Sequence, residues 1–506
     1  MFQKVRSAQK IKSLERSGDK LKPQNMIVIL SDEHNKKITQ CYGHDLIRTP
    51  NLDRLAKEGT MFTSAYTNCP ICVPARASLA TGRYVHDVQC WDNAIAYEGN
   101  PIAWGHRLME TGHQVTSIGK LHYSKSDPKV NGFDEEILPM HLVEGLGDLL
   151  GLIRDELPRR NGALNLGPES GRGESAYTKY DRDITAAACK WLTEKALNKP
   201  NKPWVLYVGL VAPHFPLIAP AEFYDMYANI DLPWPKLYGK DERPHHAFLD
   251  AMRSCMVFDD GFTDDDMVRR AITAYFGLVS FLDNNIGQIL NAVQDLGLTS
   301  DTRIIYSSDH GDNLGARGFW GKSTMYEESA GIPFIFSGEG VPKNSVCDTP
   351  ISLVDIFPTI MEGVGEPPHP GDQDLPGESL FAIANGTTRR ANVLSEYHAA
   401  GAATGSYMTR VGKYKFMYYV GMTPMLFDLE ADPEELIDLA LDPAYKEVLE
   451  QCELELRKLV DPEAADRAAK LAQAKKIQEN GGKEAILERG GFRFSPPPGV
   501  QPSRYK

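Results

Sequence analysis

Long hydrophobic runs are missing from this sequence: nowhere do its 506 residues hold the roughly 18 consecutive apolar side chains that a membrane-crossing helix needs. The N-terminal stretch MFQKVRSAQKIKSLERSGDKLKPQN is basic and has no apolar core, so it is not expected to be a secretory signal. Cysteine is scarce as well. Eight are scattered from Cys41 to Cys452, far below a disulfide scaffold, and they are expected to be free thiols in a reducing, cytoplasmic setting. An excess of positive charge is also lacking, since 55 Lys and Arg stand against 68 Asp and Glu, a net charge of −13. Nucleic acid and anionic membrane both require a basic surface, so neither is expected as a partner. A few cations in one cleft can override the overall sign, which leaves a small anionic substrate open. No internal repeat is visible, so a repeat architecture is not expected. What is present, 42% hydrophobic and 24% charged residues, suits a soluble, enzyme-sized globule rather than a disordered chain.

Short β-branched runs alternate with helical patterns over most of the length. This predicts an α/β fold, a large mostly parallel sheet sandwiched by helices. Strands are expected at Asn25–Leu30, Val115–Ile118, Trp204–Val211, Arg303–Ser307 and Ile332–Phe336, and helical patterns at Pro50–Glu58 and Met267–Leu296. Four of the strands run straight into Asp, His or Lys: Asp32-Glu33, Lys120 with His122, His214, and Asp309-His310. Ligands of open parallel sheets bind at the carboxyl ends of the strands, so these residues are expected on one rim.

Beyond about residue 385 the strands shorten. Asn392–Tyr397, Tyr407–Arg410, Lys415–Tyr419 and Pro424–Asp428 predict a small C-terminal α+β domain containing an antiparallel sheet. The expected divisions are a basic N-terminal arm (1–24), a large α/β domain (25–385), the small domain (386–460) and a helical, Pro-rich tail (461–506). Within that tail, Pro462–Gln478 is expected as a largely solvated helix. Gly490–Lys506 holds Ser495-Pro496-Pro497-Pro498 and is expected to be an irregular arm that dangles or crosses onto a neighbouring subunit. A homo-oligomer is the assembly that such an arm suggests.

The densest signal is Cys69-Pro70-Ile71-Cys72-Val73-Pro74-Ala75-Arg76-Ala77-Ser78-Leu79-Ala80-Thr81-Gly82-Arg83. Cys69-x-x-Cys72 has the spacing of a redox dithiol, a motif that belongs to a much smaller fold. Pro74, in contrast, suits the first turn of a helix, which puts residue 72 at its N-terminus where free N–H groups favour an oxyanion. Arg76, one turn on, is expected to hold the nucleophile by charge-assisted hydrogen bonds. Cys72-x-Pro74-x-Arg76, followed by Leu79 and Thr81-Gly82-Arg83, resembles the signature of the sulfatase family, within the alkaline phosphatase superfamily. The resemblance implies an alkaline-phosphatase-like sheet and a Cys72 oxidised to formylglycine by a formylglycine-generating or other sulfatase-maturing enzyme. It implies further that the hydrated aldehyde attacks sulfur, giving a covalent sulfated enzyme.

The resemblance spans most of the first 370 residues. Gly112–His122 is similar to the second sulfatase signature, except that His113 stands where the family has an aromatic or aliphatic residue. It implies that Lys120 and His122 contact the nucleophile and the sulfate oxygens. His214 matches the substrate-side histidine, a candidate general acid, and Lys322 matches the lysine on the transferred group. Asp32, Glu33, Asp309 and His310, with Cys72, are the implied ligands of one divalent metal ion. Oxygen donors suit Ca²⁺, and the imidazole shifts the preference towards Mn²⁺. Glu33 is the weakest of these ligands because its longer side chain need not reach the metal. The Asp-His pair departs from the commonest sulfatase pattern and resembles the choline sulfatase and phosphonate monoester hydrolase branch.

The expected activity is therefore metal-dependent hydrolysis of aryl or alkyl sulfate monoesters, small anionic substrates, to alcohol and sulfate. Phosphonate monoester or phosphodiester hydrolysis with the same nucleophile is the alternative. Lys120 and His122 favour sulfate, since the phosphonate hydrolases tend to carry hydroxyl residues there. A binding protein without catalysis remains if Cys72 stays a thiol. Trp91, Trp104 and Tyr97 are candidates for an aromatic cage around choline. The loops Met140–Ser175 and Asn229–Asp266 are expected to shape the pocket.

Overall fold

The run Asn-Met-Ile-Val-Ile-Leu-Ser-Asp forms β1 (Asn25–Asp32), and a strand sends alternate side chains to opposite faces. Met26, Val28 and Leu30 pack with Ala75, Leu79 and Phe357 on one face. Ile27 and Ile29 pack with Ile184, Trp191 and Phe281 on the other. Each such side chain contributes roughly 1.5–3 kcal/mol when fully buried. Burial on both faces is what a sheet between two helical layers requires. The structure, a computed structural model, describes residues 21–505, so the basic arm expected over 1–24 lies almost wholly outside the described residues.

The main sheet comprises β1, β2 (Gly59–Phe62), β3 (Val115–Lys120), β4 (Glu135–Met140), β5 (Val205–Pro213), β6 (Thr302–Ser308), β7 (Phe334–Ser337) and β8 (Ser345–Cys347). Their order is β8-β2-β7-β6-β1-β5-β3-β4. All neighbouring pairs are parallel except those of β7, which runs against both β2 and β6. The expected strand at Ile332–Phe336 thus exists, shifted by two residues at its start, but reversed. The chain leaves the carboxyl end of β6, loops along that same rim and returns without a crossover helix. Helices α1 (Pro50–Lys57), α2 (Cys72–Thr81), α3 (Ala176–Leu197) and α4 (Asp265–Asp295) supply the flanking layers. Ser175 and Asp264 cap α3 and α4, each accepting the backbone N–H three residues on.

A second sheet follows, the antiparallel meander β9 (Leu394–Tyr397), β10 (Ser406–Val411), β11 (Tyr414–Tyr419) and β12 (Met425–Asp428). It shares one apolar cluster with Cys69, Ile71 and Tyr326, so its core continues beneath the turn that carries residue 72. Two helices then pack on it, α5 (Lys446–Leu459) and α6 (Pro462–Glu479).

α6 is the helix expected there, largely solvated but with one buried face. Pro462, Ala465, Asp466, Ala469 and Gln473 recur at helical spacing and are buried. Alanine lets this face lie close, and its polar members are satisfied. Asp466 pairs with Arg154 at 2.9 Å, while Gln473 Nε2 donates to His398 O at 2.7 Å and to Asp92 Oδ2 at 2.8 Å. The expectation for the terminal arm is corrected. Gly491–Phe492 (β13) pairs antiparallel with Arg504–Tyr505 (β14), and the segment folds back over its own chain.

Candidate active site

Asp32 ends β1, Lys120 ends β3, His214 follows β5, and Asp309-His310 follow β6, so the four strand ends converge on one rim. Cys72 is the first residue of α2, a helix buried along its whole length and closed by Gly82 at φ +66°. Its Sγ lies 3.2 Å from His310 Nε2 and 3.5 Å from Asp32 Oδ1. Few free amides remain at this helix end: Val73 N–H donates to Asn93 Oδ1 at 3.1 Å, and Pro74 has none. The expected cradle of helix N–H groups is therefore smaller than the motif suggested, and the side chains around it supply the charge.

Arg76 is directed elsewhere than expected. Nε donates to Asp309 Oδ2 at 2.8 Å and Nη2 to Asp32 Oδ2 at 3.0 Å, while Nη1 reaches Lys120 O at 2.8 Å and Tyr207 Oη at 2.9 Å. Its donors are committed to holding the two carboxylates, which leaves little for direct contact with residue 72. Burial alone would raise the Asp32 carboxyl, but Lys120, His214 and Arg76 hold it well below the usual carboxylate range. Lys120 Nζ is 2.6 Å from Asp32 Oδ2, out of hydrogen-bond alignment, so its ammonium keeps unused donors.

His122 is buried at φ +59°, and neither ring nitrogen has a hydrogen-bond partner among the described residues. Burial first, then Lys120 and Arg76, lowers its pKa well below the ordinary histidine value, so the ring is neutral. Buried polar atoms left without partners are costly, and here they face the cavity that holds Cys72, His214 and Lys322. His214 Nδ1 donates to Phe215 O at 2.5 Å, and its Nε2 accepts from Lys322 Nζ at 2.7 Å. Burial and Lys322 hold the His214 pKa well below the ordinary value. Lys322 also pairs with Glu33 Oε2 at 3.1 Å. Burial opposes its charge, but Cys72, Glu33 and Asp32 raise its pKa above the ordinary value.

The ligand atoms of Asp32, Cys72, Asp309 and His310 lie within 4.8 Å of one another, all buried. His310 Nδ1 donates to Gly311 O at 3.1 Å, which leaves the Nε2 lone pair aimed into this cluster. Two carboxylates, an imidazole nitrogen and the residue-72 side chain fit a divalent cation. Glu33 points to the other side, with Oε2 3.4 Å from His214 Nε2, and forms a second group with Asp32 and His214.

All ten residues singled out from the sequence come together. Others gave no signal there. Tyr207 reads as an ordinary strand residue, yet it fixes Arg76. Asp181, inside α3, accepts Val211 N–H at 2.8 Å and Ala212 N–H at 2.7 Å, which sets the turn into His214. Burial pushes the Asp181 carboxyl up to about 7. Trp91, Trp104 and Tyr97, the candidates for an aromatic cage, lie in the two core clusters and do not line the cavity. Both long loops reach it, through Leu142 to Glu169 and through Met256 and Phe258. Among the described residues every cysteine is a free thiol, and Cys69 is fully buried.

The family model described as Sulfatase matches residues 24–366, and one described as N-sulphoglucosamine sulphohydrolase, C-terminal, matches 315–461. A choline-sulfatase of Rhizobium meliloti (strain 1021) is 31% identical over 428 residues, 83% of this chain and 83% of that protein. Arylsulfatase K of Danio rerio is 27% identical over 465 residues, 86% of this chain and 84% of that protein. Among solved structures, the phosphonate monoester hydrolase of Agrobacterium radiobacter superposes with a TM-score of 0.68 at 21% identity, over 86% of this chain and 95% of that one.

Proposed function

This chain belongs to the sulfatase family and is a sulfuric ester hydrolase, and we propose that it acts through a formylglycine made from Cys72. One observation carries the assignment of residues. The side chain of residue 72 touches the Asp32–Asp309–His310 cluster on one side and opens on the other into a cavity with His122, His214 and Lys322.

Asp32, Asp309, His310 and the converted residue 72 would hold one divalent cation. The donor set favours Mn²⁺ over Ca²⁺, because an imidazole is present. When bound, such an ion supplies Lewis-acid charge to the nucleophile and to a sulfate oxygen. Arg76 holds the two carboxylates in place. Lys120 and His122 offer their unused donors to the ester oxygens, where fixed charges are worth most as negative charge develops. Lys322 and His214 form a hydrogen-bonded pair on the leaving-group side. As the S–O bond to that group breaks, the departing oxygen takes its proton from this pair. Glu33 belongs to the same side, where Oε2 accepts from Lys322 Nζ and orients it.

Phosphonate monoesters carry the same single negative charge, which supports a side activity on them. A sulfatase-maturing enzyme is the partner that the Cys72 chemistry requires, and we place both in the cytoplasm. Among the described residues no helix is long and apolar enough to cross a membrane.

Mass spectrometry of the Cys72 peptide from native-host protein, paired with sulfate release from 4-nitrophenyl sulfate, tests the reading. Formylglycine differs from cysteine by an oxygen in place of sulfur and two fewer hydrogens. A fully active protein carrying only the thiol would sink the nucleophile assignment.

A further inference from the structure

The C-terminal segment does more than end the chain. Phe492, Arg493, Phe494, Ser495 and Tyr505 line the same cavity, of about 110 Å³, that Cys72 and His214 line. The segment is built into its place. β13 pairs with β14, and Tyr177 Oη donates to Ser495 O at 2.6 Å. The Phe494 ring lies 5.2 Å from that of Tyr177, whose ring meets His214 edge-on at 5.7 Å. The Tyr505 ring rests on Gly162, where an added Cβ would come within 2.3 Å of it. Contact thus runs from the C-terminal segment through Tyr177 to His214, one member of the proposed proton-donating pair.

The charges of the cavity are distinctive. Among the described residues, two acids line it, Asp148 and Glu169. Each is already neutralised: Asp148 Oδ2 accepts from Arg160 Nη2 at 2.8 Å, and Glu169 pairs with Arg493 of the C-terminal segment. Lys322 Nζ sits 5.0 Å from the centre of the Phe215 ring, so a protein cation already covers one aromatic face. Recognition of a quaternary ammonium needs open aromatic faces and favours a free carboxylate nearby. No free carboxylate is offered here, and Lys322 already occupies the Phe215 face. What remains is an aromatic slot formed by Phe215, Phe258, Phe492 and Phe494.

We propose that the C-terminal segment forms the leaving-group wall of its own chain's active site, with Phe492 and Phe494 as specificity-determining residues that select an uncharged aromatic leaving group over a cationic one. The proposal rests on the sulfate-ester reading above. Choline, after which the Rhizobium relative is named, is then a poor leaving group for this chain.

The test uses the full-length, formylglycine-carrying protein with phenyl sulfate, 3-(trimethylammonio)phenyl sulfate and methyl sulfate. Phenyl sulfate should exceed its cationic analogue by at least about tenfold in kcat/KM. Phe492→Ala and Phe494→Ala should each lower the phenyl-to-methyl sulfate ratio by about tenfold, mainly through KM, since an aromatic contact contributes about that much with the area it buries. Phe494→Leu, which keeps the apolar packing on Tyr177, should lie between, and it guards against misfolding of the alanine variant. Mixtures of Cys72→Ala chains with Phe494→Ala chains should show no recovery of the wild-type ratio. Unchanged ratios, preference for the cationic ester, or recovery in the mixture would overturn the proposal. Failure to release sulfate from any of the three esters would instead overturn the sulfate-ester reading itself.

Discussion

Neutralising His86 should destabilise the joint between the segment that follows α2 and the second sheet, with a defined pH signature. His86 lies in the short helix Val85–Val88 that follows α2, and Glu396 lies in β9. Glu396 Oε1 accepts from His86 Nδ1 at 2.8 Å and from its backbone N–H at 3.0 Å. Burial alone would lower the imidazole pKa, but Glu396 outweighs it and pushes His86 up to about 9. The carboxyl is brought down to about 2 against its own burial, first by His86 and then by His398. Both shifts describe one interaction and are counted once. From an ordinary 6.5 to about 9, at about 1.36 kcal/mol per pH unit, the pair contributes about 3 kcal/mol. The His86 side chain is 18% exposed, so solvent screening trims this to about 2–3 kcal/mol. A folded-state pKa above the unfolded one means that the contribution is complete below pH 6.5 and is lost as pH rises through about 9. At the acid end it falls away as pH drops from the ordinary glutamate range towards about 2. For 506 residues unfolding in one step, at about 2.1 cal/mol/K per residue, the Tm change is about 2–3 °C. His86→Gln keeps a donor but cannot carry the charge. Thermal melts of both proteins should differ by that amount at pH 6 and converge by pH 9.5. A gap that stays constant across this range would refute an ionic origin.

Three further outcomes follow from the site. Cys72→Ala should abolish sulfate release, whereas Cys69→Ser should retain it. His122→Ala should lower kcat/KM for aryl sulfates by about 10²–10³-fold, the usual loss for one oxyanion donor, while the Cys72 peptide still carries formylglycine. Arg76→Met leaves two buried carboxylates short of a partner, and breaking such a pair costs about 3–5 kcal/mol. The urea midpoint of that variant should fall in EDTA and recover in part when Mn²⁺ is added, because a bound cation replaces the missing charge. Equal midpoints with and without the metal would argue against a cation at Asp32 and Asp309.

Much of the site was legible because its signals are local. The Cys72–Arg83 run specifies a helix with residue 72 at its start, through one proline and one glycine at fixed offsets. Asp32, Lys120, His214 and Asp309 were found because the end of a buried apolar run is visible in a sequence, and a parallel sheet gathers such ends. Tyr207, Asp181 and Asn93 stayed hidden because each acts on a residue distant in the chain, with nothing in its own neighbourhood to mark it.

Other features depended on direction and facing. The Asn25–Asp32 alternation says that both faces of a strand are apolar, but not which helix covers each. The Ala-rich pattern of α6 fits a solvated helix and a closely packed one equally well until a partner is known. Trp91, Trp104 and Tyr97 were as suitable for a cage as for a core, and the core took them. Arg76 is cationic wherever it points, and only its distances to Asp309 and Asp32 commit it to the carboxylates. The sequence by itself determined the sheet, the place of Cys72 at the start of a helix and the set of charged residues, since these rest on short-range periodicity and backbone chemistry. Tertiary structure alone decided the reversed strand, the partners of each charge and the return of Gly491–Tyr505 over the cavity that Cys72 lines, because these are set by which surfaces exclude water from one another.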